Sequence, residues 1–203
     1  MKGIIYTLLM GLVLTSCATY RPIGGIHELH DPEEDKEIEH SFYLVGNTAL
    51  SKNDKNNNIV PKMVNVLRDA PPKSTLLFLG NSVPDPKFGP GVLKDEKRVL
   101  EGYNGTTIFI PGEQEWRENI DDLRKIEKNI DDLLGKNSFL PERGCPIEEV
   151  GISDRIVLII IDSQWYLSPW NNYPKINDNC SIKDRESFYL EIEVILIGFK
   201  KDR

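Results

Sequence analysis

The sequence predicts an α/β domain, and three observations carry the prediction. Four short runs rich in β-branched and aromatic residues occur at 41–45 (SFYLV), 74–79 (STLLFL), 107–110 (TIFI) and 155–161 (RIVLIII). Such continuous apolar runs are how buried strands read in α/β proteins. Segments of helical periodicity lie between the runs. Each run also ends at a glycine or an aspartate followed by polar residues, which gathers the loops at one edge of a sheet, where chemistry in open α/β folds sits.

The chain has 203 residues, ordinary globular composition and a net charge of −7. It is long enough for one domain plus a tail. The charge argues against nucleic acid, where a basic stripe would be expected.

Lys2 is a short positive start, and residues 4–14 form an apolar core too short to span a bilayer as a stable helix. Leu14-Thr15-Ser16-Cys17 resembles the bacterial lipobox, in which the cysteine is lipidated and becomes the mature N-terminus. The competing reading is a plain secretory signal with an incidental cysteine. The lipobox implies a lipoprotein signal peptide at 1–16, a lipidated tether at 17–40 and a folded domain at 41–203. It also implies export and a lipid anchor at Cys17 in a cell-envelope membrane, on the periplasmic face or at the surface of the outer membrane. The tether holds Gly24-Gly25, an acidic run at 31–35 and all three histidines, His27, His30 and His40. It has too few apolar residues to bury.

Export places the remaining cysteines, Cys145 and Cys180, where disulfides persist. A bridge between them is expected; the alternative is two unbridged buried thiols.

Within the domain, the first run ends at Gly46-Asn47-Thr48-Ala49. A helix is expected after it, with Pro61 near its start and Val64, Val66 and Leu67 on its apolar face. The second run ends at Gly80-Asn81-Ser82-Val83-Pro84, and a Pro/Gly-rich loop leads to a short helix near 92–103. The third run ends at Pro111-Gly112-Glu113-Gln114-Glu115-Trp116. Residues 119–134 form the clearest helix, with Ile120, Leu123, Ile126, Ile130, Leu133 and Leu134 at helical spacing. The fourth run ends at Asp162-Ser163-Gln164-Trp165-Tyr166 and continues as an aromatic loop to Cys180. Residues 187–200 read as a helix burying Phe188, Ile192, Ile195, Leu196 and Phe199, with strand as the alternative because of their β-branched content.

The order of these corners resembles the calcineurin-like metallophosphoesterases, most closely the exported bacterial members related to purple acid phosphatases. In that family the first three strands end in Gly-Asp-x-Gly, Gly-Asp-Asn-x-Tyr-Pro and Pro-Gly-Asn-His-Asp-Trp. Gly144-Cys145-Pro146 and Ile161-Asp162-Ser163-Gln164-Trp165-Tyr166-Leu167 also match that subfamily, and the resemblance covers residues 41–196. It implies the N-terminal part of a metallophosphoesterase-like β-sandwich flanked by helices. It implies a site for two divalent or trivalent metals (iron, manganese, zinc), which hydrolases of this kind hold about 3.5–4 Å apart.

The ligand positions are substituted. The family's metal ligands fall on Asn47, Asn81 and Glu113, its general acid on Gln114, and the aspartate orienting that acid on Glu115. An amide is a neutral, weaker ligand for a hard cation than a carboxylate. Gln114 cannot donate a proton as an acid. The later histidine motifs of the family, Val-x-x-His and Gly-His-x-His, do not occur after His40. The expected function is therefore an exported lipoprotein with a catalytically inactive metallophosphoesterase-like domain. The alternative is a residual metal-dependent phosphoester hydrolase, or the N-terminal half of a split or frameshifted one. Glu113 and Glu115 could hold one cation loosely, but two solvated loop glutamates are the preferred reading. Asp162 reads as a loop anchor. Trp116, Trp165, Tyr166, Trp170 and Tyr173 read as packing residues. A protein partner is expected over a sheet face left open by a chain ending at Arg203. An unrelated sheet protein remains the last alternative; a structure in which Asn47, Asn81 and Glu113 do not meet would establish it.

Overall fold

The computed structural model describes residues 37–48, 59–83, 97, 100–116, 120–168 and 180–201. The elements all fall in one compact unit, Glu39–Arg203. The expected signal peptide, Cys17, most of the tether, Trp170 and Tyr173 lie outside the described residues, as does most of the helix expected near 92–103.

The domain is mixed α/β. Strands β1 (Ser41–Val45), β2 (Ser74–Leu79) and β3 (Thr106–Ile110) form a parallel sheet in the order β1-β2-β3. β2 is central and buried along all but its last residue. Alternation along a strand sends successive side chains to opposite faces, and both faces of β2 are used. Leu76 and Phe78 enter the larger core cluster with Phe109, and the Phe78 and Phe109 rings stack at 4.2 Å. Leu77 enters a second cluster with Ile108, Leu140 and Ile160 on the other face.

Helix α1 (Ile59–Arg68) and helix α3 (Ile120–Leu134) supply the larger cluster. On α1 the buried residues are Met63 and Leu67, whereas Val66, expected on the apolar face, is exposed. On α3, Ile120, Leu123, Ile126 and Ile130 are buried at the expected spacing. Asp121 and Asp122 in its first turn complement the helix dipole.

The fourth run is corrected in placement. It forms β5 (Ile156–Ile161) and pairs antiparallel with β4 (Ile147–Ser153), a two-stranded sheet separate from the parallel one. Its side chains are mostly half-buried or exposed, as suits a hairpin laid over one face of a sheet. Through Ile160, Val150 and Leu158, with Leu140 from the preceding segment, this hairpin meets the Leu77/Ile108 face. Farther toward β1 the same face stays open: Leu44, the register partner of Leu77, is 62% exposed, and Phe42 and Leu79 are also exposed.

Two further helices stand where the sequence predicts loop. These are the single turn α2 (Glu113–Trp116) and the short α4 (Ser163–Leu167). The last segment is helical, as expected, over Arg185–Lys201 (α5). Asp184 caps it, accepting from the Ser187 N–H at 2.8 Å while the Ser187 hydroxyl accepts from the Asp184 N–H. Phe188 and Ile195 are buried and Ile192 and Phe199 half-buried, but Leu196 is exposed. The inward stripe therefore runs 188, 192, 195, 199, a single helical row that leaves 196 outside.

Candidate functional site at the carboxyl edge of the parallel sheet

The three parallel strands end side by side, and their corners are tied together through backbone groups. The Asn47 N–H donates to the Gly80 carbonyl at 3.1 Å, joining the first corner to the second. Asn47, Gly80 and Asn81 all have φ between 53° and 82°. This left-handed region excludes most side chains but admits glycine and, at small cost, asparagine. Gly80 and Gly112 meet backbone to backbone: a Cβ on Gly80 would lie 2.7 Å from the Gly112 Cα. No larger residue fits at this junction without displacing backbone.

Glu115 is the centre of the arrangement. The residue is 1% exposed. Oε2 accepts from the N–H of Asn81 and of Gly112, each at 2.9 Å. Oε1 accepts from Ser82 at 2.8 Å and from Val83 at 2.9 Å. Four backbone donors with no partner in the strand ladders are thereby satisfied by one side chain. This corrects the reading of Glu115 as a solvated glutamate or a loose cation ligand: both its oxygens face inward and are occupied. Asn81 completes the link, its Oδ1 accepting from the Gln114 N–H at 2.9 Å and capping the turn that carries Glu115.

Trp116 follows. Its indole Nε1 donates to Asp162 Oδ2 at 2.8 Å, joining the third corner to the end of β5. Asp162 is fully buried and caps α4, its Oδ1 accepting from the N–H of Gln164 and Trp165. Burial pushes its carboxyl up to about 7, against the opposing pull of these donors and with the Glu115 charge adding to the rise. The loop-anchoring role expected for Asp162 is the one its contacts give it. Trp116 and Trp165 are buried packing residues, and Trp165 stacks on Phe188 at 5.7 Å.

Of the remaining candidate residues, Asn47 and Glu113 are exposed and Gln114 is half-buried. Among the described residues, the buried oxygens Thr48 Oγ1 and Gln114 Oε1 have no hydrogen-bond partner. The donor set does not fit a pair of metals. Asn81 Oδ1 and both Glu115 oxygens are engaged, and no cluster of three or more His, Cys, Asp or Glu suited to a metal occurs among the described residues. His40, the only described histidine, bonds Thr75 Oγ1 at 2.9 Å near the strand starts, the opposite edge of the sheet. A cleft of about 610 Å³ also lies toward that opposite end, lined by Tyr103, Thr106, Lys136, Ser138, Glu148 and Glu149.

Cys145 and Cys180, the expected disulfide partners, are unbridged and each half-buried, and they lie close enough to influence each other. The organising role of the buried Glu115 carboxylate differs from the solvated glutamate that the sequence suggests. Its signal was its spacing, three residues after a glycine that ends a strand, where an acid can turn back onto the N–H groups of its own turn.

Comparison with known proteins finds no match to a protein family, to a curated protein or to a solved structure.

Proposed function

We propose that this chain is an exported protein, lipid-anchored through Cys17, whose domain corresponds to the N-terminal part of a metallophosphoesterase-like β-sandwich and is catalytically inactive. It keeps the corner framework of such an enzyme as architecture and acts as a binding or scaffolding module. The observation that supports this reading best is the inward-facing Glu115 carboxylate, spent on four backbone N–H groups. Asn81, at the position of the family's bridging ligand, has its carbonyl engaged in capping the adjoining turn. Groups at the positions of catalysis thus hold the loops in shape. The open Phe42–Leu44–Leu79 face supports a protein partner there, since contiguous exposed apolar surface marks interaction sites.

The test is hydrolysis of an aryl phosphate by the purified chain with manganese, zinc or iron. No turnover above the metal-only control is expected. Turnover that disappears in Glu113→Ala would overturn the reading in favour of a residual hydrolase. Anchoring is tested separately in a bacterial host: the wild type should partition with membranes, and Cys17→Ser should not acquire lipid.

A further inference from the structure

Helix α5 carries two apolar rows on opposite sides. The inner row is Phe188, Ile192, Ile195 and Phe199, and Phe188 and Ile192 join the larger cluster with Leu76, Phe78 and Trp165. At about 100° of turn per residue, Leu190, Val194 and Ile197 form a second row facing away from the first. They are 54%, 63% and 44% exposed. Their spacing of four and then three residues is that of a seam between paired helices. The row is separate from the open Phe42–Leu44 surface. The inner row of α5 belongs to the cluster on the Leu76/Phe78 face of β2, and Leu44 is the register partner of Leu77, which points to the other face.

The charges beside the row select what can cover it. Glu186 and Glu193, both exposed, flank it on one side, and the half-buried Glu191 flanks it on the other. Lys200 and Lys201 close the helix. Acid therefore lies along most of its length, and base lies at its end. Two copies of α5 laid side by side in the same direction would bring Glu186 of one near Glu191 of the other. Like charges at the margin of a seam oppose pairing. Laid antiparallel about a two-fold axis near Val194, the copies instead set the Glu193 region of each against the basic end of the other. A lipid surface is the poorer fit, because helices that lie on membranes carry Lys and Arg on their polar face, whereas glutamates flank this row.

We propose that the outer row of α5 is a self-association surface, on which a second copy of this chain docks antiparallel through its own Leu190, Val194 and Ile197. The patch is its own complement, as a two-fold interface requires. One helix from each copy makes a small interface, so the association is reversible. The surface lies apart from the strand-end edge, and its test is independent of whether the domain catalyses anything.

The experiment places a photoactivatable benzophenone side chain at Leu190 or at Ile197 of the full chain in a bacterial host. Intact cells are irradiated and the adducts are identified by mass spectrometry. Both positions are exposed, so the substitution leaves the inner row in place. The expected product is two copies of the chain joined, from position 190 to the neighbourhood of Ile197 and from position 197 to that of Leu190. Joining of 190 to 190 would mean a parallel pair and would overturn the proposal. Adducts to lipid or to a different protein in place of a second copy, or no adduct at all, would also overturn it. Glu193→Lys should lower the yield of joined copies at least about threefold, and adding Lys200→Glu should restore it. Leu196→Ser, an exposed apolar residue outside the row, should leave the yield unchanged. Equal yields in Glu193→Lys and the unsubstituted chain would contradict the antiparallel arrangement.

Discussion

Asn81 and Glu115 hold each other's loops: the Asn81 N–H donates to Glu115 Oε2 at 2.9 Å, and Asn81 Oδ1 accepts from the N–H of Gln114, the residue before Glu115, at 2.9 Å. This exchange locks the end of β2 to the turn that follows β3. Removing the carboxylate would strand buried N–H groups on Ser82 and Val83 as well as on Asn81 and Gly112. Each unsatisfied buried donor is costly. Glu115→Ala is therefore expected to lower unfolding free energy by about 3–5 kcal/mol, measured by chemical denaturation. Exposed Glu113→Ala should change it by less than about 0.5 kcal/mol. Equal effects of the two substitutions would remove Glu115 from its place at the centre of the edge.

The Gly80–Gly112 junction gives a second prediction. A Cβ at Gly112 would stand 2.8 Å from the Asn81 nitrogen and 2.9 Å from the Gly80 Cα. Those neighbours are backbone atoms and cannot move without opening the corner. Gly112→Ala should cost about 1–3 kcal/mol, and Gly80→Ala should add backbone strain, because φ at Gly80 is +82°. Gly151→Ala is the control, since a Cβ there meets nothing within 4 Å.

Asp162 makes stability depend on pH. Its folded pKa, about 7, lies above the ordinary aspartate value of 3.8, so between these values the folded state binds more protons than the unfolded one. Its contribution is fully present below 3.8 and is lost as pH rises through about 7. The loss is on the order of 2–4 kcal/mol. Denaturation midpoints across this range should fall more steeply for the wild type than for Asp162→Asn, which cannot titrate. Parallel profiles would show that the Trp116 and α4 donors outweigh burial.

The inward face of α5 separates two residues that the sequence grouped together. Phe188 is buried against Trp165 and Tyr166, whereas Leu196 is exposed. Phe188→Ala should cost about 3–4 kcal/mol, and Leu196→Ser should stay within about 0.5 kcal/mol. Thermal or chemical unfolding of the two variants checks this.

These residues also show how far the sequence could be read. The three parallel strands and α3 were legible because their apolar residues are dense and their periods clear: STLLFL has no interruption, and Ile120, Leu123, Ile126 and Ile130 repeat at one spacing. β4 was not legible, because Glu148, Glu149 and Gly151 break the apolar run of a strand with only one half-buried face. With no readable partner, the composition of β5 points to the main sheet. The corner was legible as a corner, since glycine, asparagine and proline announce turns. Its internal wiring was not, because a glutamate facing solvent and one facing four backbone N–H groups look alike in a sequence. Leu196 shows the same limit: on a helix with apolar residues on most sides, composition does not reveal which row faces the core.

At the strand-end edge, both Glu115 oxygens and Asn81 Oδ1 are committed to backbone N–H groups and not to a metal. Elemental analysis of the purified full chain, after incubation with manganese, zinc or iron and desalting, tests it most directly. Metal far below stoichiometric amounts is expected, unchanged in Glu113→Ala. Stoichiometric metal that survives desalting and is lost in Glu113→Ala would contradict it.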